Sequence, residues 1–485
     1  MSAQKVQVKE IQLLINNQDV STENYVEVRD PGRLTDVVGR VAQARVEHVN
    51  EAVEAAHAAF QTWRHTSLDE RLAVLYKIEY LLKEEATELA ATLSRENGVL
   101  YSTSLGEIDM AVRAIQATVK NVKSFFEPVI KEDGDSWVSV EKRPIGVIAG
   151  IIPWNAPMVL TMQKVAPAIV TGNTLVMKPS PNSPMGVSMI LKKVASFLPP
   201  GVINVIHGDA EVGSALNKHR LVRKISFTGG GQIAKYIMKD AADSLKNVHF
   251  ELGGNDPAIV LNDADIDDII PKIVGSAFRR SGQVCFAIKR VYVPETLYDI
   301  FYEKICQFVS QYKIGHGLDE RATFAPVNNK NQYDSVNKLI ERIKNSNAQL
   351  VQLGEKLEPE NWDNGYYIQP AVVRDVDPKQ EIVTCEQFGP IIPLVSYRNE
   401  EEVVNMANDT EYGLGSSIWT SNFERGLRIA RQIEAGMTFI NGAGQSHLGY
   451  ESMPFGGVKQ SGIGRENSDI GLVEFIEYHA INYHK

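Results

Sequence analysis

The chain has 485 residues, of which 44% are hydrophobic, and carries a net charge of −10. That length allows two or three domains, and the acidic balance excludes a general nucleic-acid-binding role. Cys285, Cys306 and Cys385 are too few for a disulfide framework and suit a cytoplasmic setting; residues 145–153 are too short an apolar run to span a membrane, and residues 1–17 lack the basic start and long apolar stretch of a secretory signal, so none is expected.

Leu14-Ile15-Asn16-Asn17 and the turn-rich Asp30-Pro31-Gly32 read as a strand and a loop. Val49, Val53, Ala56 and Phe60 fall on one helical face. Leu72, Leu75, Ile78 and Leu82 do so on a second helix, which is expected to run on toward a C-cap at Asn97-Gly98. Residues 131–135 form a polar turn between two projecting strands. Residues 146–151, 174–177, 202–206 and 224–227 are unalternating apolar runs, as expected of parallel strands buried on both faces. Helix-like stretches such as 184–197 and 232–242 separate them, so a doubly wound α/β sheet is expected. A second α/β region follows from about residue 257 to residue 442.

Several segments end these strands or sit in tight turns. Cys285, after Gly282-Gln283-Val284, reads either as a small buried residue or as a thiol exposed by a glycine turn. Glu251 closes a strand-like run before Gly253-Gly254, and a carboxylate there is costly unless it has a task such as general base. Pro153-Trp154-Asn155-Ala156-Pro157 is either a proline-rich turn or a loop whose Asn155 amide faces an oxyanion. Lys178, before Pro179-Ser180, is a surface lysine or a cation for cofactor hydroxyls or phosphate. Phe227-Thr228-Gly229-Gly230 opens a helix where backbone N–H groups can approach a pyrophosphate. Two further glycine-marked runs follow, 386–390 and 454–466.

Taken together, the runs PWNAP, KPS, FTGG, ELGGN, GQVC, EQFGP and PFGGVKQSGIGRE occur in the order seen in the aldehyde dehydrogenase superfamily, which this sequence resembles nearly end to end. The resemblance implies an α/β subunit of three parts: a Rossmann-like NAD(P)-binding domain (1–124 and 144–254), an α/β catalytic domain (255–468) and a small β oligomerisation element (125–143 and 469–485). It implies Cys285 as the nucleophile, Asn155 with the Cys285 N–H as oxyanion donors, and Glu251 as the base that activates water to hydrolyse a thioester. The implied cofactor is NAD or NADP, held by Ile152, Trp154, Lys178, Ser180, Pro181, Phe227, Thr228, Gly229, Gly230, Leu252, Glu386 and Phe388. No metal and no nucleic-acid or membrane partner is expected; the partners are a small aldehyde and further copies of the chain, as homodimer or homotetramer.

The sequence departs from the common pattern in places. Pro181 stands where NAD-specific members carry an acid, Gly230 where Ser is frequent, Ala234 where Gly is usual, and Phe286 where small residues are common. The aldehyde is expected to meet Leu160, Gln163, Arg279, Val284, Phe286 and Phe455, with His447 at the entrance. This mostly apolar set suggests an aromatic or medium aliphatic substrate. The alternative is a succinate-semialdehyde-like enzyme in which Arg279 binds the distal carboxylate, although Gln163 is neutral where that subfamily has a second arginine. An acyl-transferring relative is disfavoured because Glu251 is present, and a non-catalytic structural protein on the same fold because Cys285, Glu251 and Asn155 are all intact.

Overall fold

A computed structural model describes residues 9–444 and 447–484, without the side chain of residue 121. The unalternating runs do become buried parallel strands. Asn247–Glu251, Val222–Thr228, Val147–Ile151, Thr174–Lys178 and Ile203–Val205 lie side by side in that order, all parallel. The chain starts this parallel block at Val147–Ile151, winds outward through Thr174–Lys178 and Ile203–Val205, then returns to add Val222–Thr228 on the other side. The order therefore reverses between Val147–Ile151 and Val222–Thr228. A crevice opens at such a switch point, outside the carboxyl ends of the strands. Ile148, Ala149, Leu175, Val176, Ile203 and Ile225 are fully buried. Each fully buried aliphatic side chain contributes about 1.5–3 kcal/mol to holding the sheet against its helices.

A second sheet of seven strands centres on Asp256–Val260, Ile288–Pro294 and Gly415–Trp419, with only the Gln349–Gln352 edge antiparallel. The third sheet is small and antiparallel: Val129–Glu132, Ser136–Pro144 and Ile476–His484, the last pairing from Ile476 with Pro144 to His484 with Ser136. The polar turn at 131–135 joins its first two strands as expected. The expected fold class, two α/β sheets with a small β element, is what the chain adopts.

One expected element differs. The helix beginning at Leu68, capped by a reciprocal Ser67–Glu70 pair, stops at Glu84; a separate helix runs from Ala86 to Asn97. Glu85, at φ −88° and ψ 1°, bends the chain without glycine or proline, so side-chain periodicity carries no sign of it. The bend turns the second helix so that Leu89, Ala90 and Leu93 enter the core while Glu96 and Asn97 face other elements. Glu96 accepts the N–H groups of Met185 (2.7 Å) and Gly186 (2.8 Å), and Asn97 donates to the Trp154 carbonyl. Gly98 ends this helix at φ +83°, the left-handed C-cap the sequence predicted.

The 454–466 segment reaches back to the first sheet. Gly462–Ile463 pairs antiparallel with Phe250–Glu251 and covers the end of that strand. Gly456, at φ +148°, passes so close that a Cβ there would lie 2.6 Å from Glu251 Oε1. Among the described residues, no helix is long and apolar enough to cross a membrane.

Candidate active site

Two cavities meet at Cys285, which is half-buried and lines both. The first is a groove of about 890 Å³ at the switch-point crevice. Trp154 and Asn155 flank it on one side, Thr228, Gly229 and Gly230 on the other, with Glu251, Leu252, Glu386 and Phe388 completing the walls. A Cβ on Gly230 would meet nothing within 4 Å, so the backbone at the start of the Gly231–Ala242 helix is open to a ligand. Trp154 and Phe388 stand edge to face, ring centres 5.7 Å apart. Glu386 is drawn against the backbone of the Glu251 turn, where the Gly254 N–H donates to Glu386 Oε1 at 3.1 Å. Burial raises its pKa above the ordinary carboxylate range, partly offset by Lys289.

Of the remaining predicted cofactor residues, Ile152 and Phe227 are buried and are not among the residues lining this groove. Lys178, Ser180 and Pro181 stand at the carboxyl end of the neighbouring strand. Lys178 is buried, and its ammonium has no hydrogen-bond or ion-pair partner among the described residues. Burial lowers its pKa to about 8, against the pull of Asp209. An unpaired cation two strands along the same carboxyl edge from the open glycine turn fits the hydroxyls or phosphates of a dinucleotide. Pro181 is exposed and places no charge there.

The second cavity, of about 610 Å³, contains all six residues expected to meet the aldehyde: Leu160, Gln163, Arg279, Val284, Phe286 and Phe455. Phe286 and Phe455 pack edge to face at 5.6 Å. Gln163 donates to Asn467 Oδ1 at 3.2 Å. Arg279 Nη2 lies 3.0 Å from Met110 Sδ, and no carboxylate of the described residues comes within 4 Å of its guanidinium. His447 lines a separate outer cavity with Arg113 and Lys120, which shares the Tyr450 wall with the inner one.

The catalytic candidates converge. Asn155 Nδ2 donates to the Gln283 carbonyl at 3.0 Å, which fixes the amide beside the cysteine turn and leaves its second N–H for a ligand. Arg280 holds the same loop: its guanidinium donates to the Asn155 carbonyl (2.7 Å) and pairs with buried Glu107. Glu107 in turn accepts the Met158 N–H (2.6 Å) at the start of the Pro157–Val170 helix. Burial pushes the Cys285 thiol up to about 12, countered by Lys289. Neither Glu251 carboxylate oxygen has a hydrogen-bond partner among the described residues, and burial, then Glu466, raises its pKa well above the ordinary carboxylate range. His249 lies 3.5 Å from Glu251 Oε1 but is held neutral by burial and by Lys164, Lys224 and Arg465. Behind Glu251, Lys164 donates to Thr228 Oγ1 at 2.9 Å and pairs with Glu466 at 3.0 Å, fully buried.

Sequence reasoning missed Glu107, Met110 and Tyr450 in the aldehyde cavity, Gln332 and Ser335 in the groove, and the Lys164–Glu466 pair. Only Lys164 left a sign: a lysine in the apolar Pro157–Val170 helix is not buried unless something pairs with it. A thiol and an unpartnered carboxylate at the junction of a groove and a second cavity suit nucleophilic attack followed by base-assisted hydrolysis.

Comparison with known proteins decides the family. The model of the aldehyde dehydrogenase family matches residues 18–481. The chain belongs to the aldehyde dehydrogenase family. Glutarate-semialdehyde dehydrogenase of Pseudomonas putida is 34% identical over 97% of this chain and 98% of its own length. The NADP(+)-linked succinate-semialdehyde dehydrogenase of Escherichia coli is 34% identical over 96% of each chain. A solved NADP-dependent enzyme of E. coli superposes with a TM-score of 0.93 at 33% identity, covering 98% of both chains. Betaine aldehyde dehydrogenase of Staphylococcus aureus, solved with NAD+, has a TM-score of 0.93 at 28% identity, covering 97% of this chain and 94% of that one. The oxidoreductase class read from the motifs is thereby borne out. NAD or NADP as cofactor agrees with these relatives.

Proposed function

We propose that this aldehyde dehydrogenase oxidises an aldehyde bearing an anionic group at its far end, using NAD or NADP. The observation that carries the reading is Arg279. It sits in the wall of the Cys285 cavity with no carboxylate within 4 Å among the described residues, whereas its neighbour Arg280 is spent on Glu107. An arginine so placed can grip a carboxylate through two parallel hydrogen bonds. Relatives acting on glutarate and succinate semialdehydes support it.

The Cys285 thiolate adds to the aldehyde carbon, and the free Asn155 N–H and the Cys285 N–H take the oxygen. The cofactor, when bound, supplies the hydride acceptor. The acyl group is left as a thioester on Cys285. Glu251, once deprotonated, takes a proton from water, which attacks the thioester and frees the acid and the thiol. Lys178 would hold the adenosine end of the dinucleotide, Glu386 the nicotinamide ribose, and Phe388 with Trp154 the nicotinamide face.

A second reading rests on the rest of the same wall. Met110, Val159, Leu160, Phe286 and Phe455 are apolar, which favours an aromatic or medium aliphatic aldehyde. Steady-state assays of reduced-cofactor absorbance with succinate semialdehyde, glutarate semialdehyde, hexanal and benzaldehyde separate the two. Higher kcat/KM for the semialdehydes supports the first reading; preference for hexanal or benzaldehyde, unchanged in Arg279→Leu, overturns it.

We also propose a cytoplasmic homo-oligomer built through the small antiparallel sheet. Val129, Ile130, Tyr478 and Tyr483 are more than half exposed on that sheet, an apolar surface suited to burial against another copy. Light scattering after size exclusion tests this: a monomer at micromolar concentration would refute it.

A further inference from the structure

We propose that Lys289 is a positioning residue for the nucleophile, orienting the Cys285 amide and setting how readily the thiol ionises, with Glu386 as the opposing charge. The inference deepens the proposed function. Lys289 lies at the start of the Ile288–Pro294 strand with its side chain buried beneath the cysteine turn. Its ammonium donates to the carbonyls of Val284 (2.8 Å) and Cys285 (2.7 Å). The Val284 carbonyl belongs to the same planar peptide as the Cys285 N–H. In a trans peptide the two point in opposite directions. Drawing that oxygen down onto Lys289 turns the Cys285 N–H away from the lysine, toward the side from which an oxyanion can be stabilised.

The same ammonium stands 3.5 Å from Glu386 Oε1 and 6.0 Å from the Phe388 ring centre. Gln387, between those two residues, donates to the Lys289 carbonyl at 2.9 Å. Nucleophile turn and cofactor-side loop are therefore held by one lysine. Among the charges acting on the Cys285 thiol, Lys289 favours the thiolate, whereas Glu386 from the loop after Glu381–Thr384, Glu251 from the end of its strand and Asp256 from Asp256–Val260 oppose it. Burial raises the Asp256 carboxyl to about 7, against the pull of Lys289 and Arg290. Removing the lysine should thus leave those acids less opposed at the thiol, and removing Glu386 should leave the lysine less opposed.

The two changes have opposite signs, which a general loosening of the site cannot produce. The test is alkylation of the cofactor-free enzyme by iodoacetamide between pH 6 and pH 10, read at the Cys285 peptide by mass spectrometry so that Cys306 and Cys385 do not contribute. In Lys289→Met the Cys285 rate at pH 8 should fall roughly tenfold, as for a rise of about one unit in the thiol pKa. In Glu386→Gln it should rise severalfold. Should Lys289→Met not fold, Glu386→Gln alone decides: an unchanged or slower rate overturns the proposal. A folded Lys289→Met whose profile superposes on the wild type also overturns it. No aldehyde or dinucleotide enters the measurement, so its failure is distinguishable from failure of the proposed reaction.

Discussion

The groove and the cavity that meet at Cys285 are built from different materials. The groove is made largely of backbone and strand ends: the Trp154–Asn155 loop, the Thr228-Gly229-Gly230 turn and the Glu251–Gly253 turn all leave one parallel sheet at its carboxyl edge. The cavity is made of single side chains. Met110 comes from the Tyr101–Phe125 helix, Leu160 and Gln163 from the Pro157–Val170 helix, Arg279 and Phe286 from either side of the cysteine turn, and Tyr450 and Phe455 from the last loops. A wall of backbone has to be conserved in shape and suits one shared ligand. A wall of side chains can change residue by residue without disturbing the sheet, and this is where substrate choice is expected to reside.

The sharpest break of the comparison is Cys285→Ala, because this residue belongs to both halves. Turnover should fall by about four orders of magnitude or more, since the covalent step is lost. Cofactor affinity, measured by fluorescence titration, should stay near wild type because the groove is otherwise intact. Appreciable turnover in this variant would remove the covalent mechanism. Next is Glu251→Gln, where the general base is lost and the steady-state rate should drop by roughly 10²–10⁴-fold. A burst of reduced cofactor should survive, visible by stopped flow; equal loss of burst and steady state would mean that Glu251 serves the thiol instead. The pH dependence has a definite sign. The pKa of Glu251 is raised by burial and by Glu466, so hydrolysis should weaken as pH falls through the raised value. In Glu251→Gln this acid limb should disappear.

The difference in building material also explains what could be read from the sequence. Glycine, proline and strand-end signals lie next to one another along the chain, so the turns at 153–157, 227–230 and 251–254 were legible as units. Neighbours across the cavity are distant in sequence. Arg280 and Glu107 form a buried pair from 173 positions apart, and nothing local to either residue announces the other. Lys289 is only four residues from Cys285, yet the contact of its ammonium with the cysteine turn is set by the fold of that turn and by no sequence pattern. The bend at Glu85 was hidden for another reason. It interrupts backbone geometry without changing the hydrophobic pattern, because both helices rest on one core. Phe227 and Ile152, implied as cofactor residues by the resemblance, are buried and their side chains do not line the groove.

The cavity half is sharpened by Arg279→Leu. Losing a charged hydrogen-bonded contact to a carboxylate costs about 2 kcal/mol, or roughly thirtyfold in kcat/KM for succinate semialdehyde. Hexanal, which offers no carboxylate, should change little. An equal loss for both aldehydes would assign Arg279 to the structure of the turn through its contact with Met110.

The smallest expected effect tests the groove half. Lys178 ends its strand with an ammonium that has no partner among the described residues, and the exposed Pro181 three residues later puts no negative charge near it. A 2′-phosphate would therefore meet a cation and an open turn at Gly230, with no carboxylate at position 181 to repel it. Wild-type enzyme should use both NAD and NADP. If NADP gives less than about a thousandth of the NAD efficiency, some other residue contributes roughly 4 kcal/mol of discrimination and the argument from Pro181 fails. Pro181→Glu should lower kcat/KM with NADP about tenfold relative to NAD, a solvent-exposed like-charge effect that shrinks as salt is raised. A loss of both cofactors together would mean that proline shapes the turn, whereas a selective loss of NADP that weakens at high salt would mean that the absent charge is what admits the phosphate.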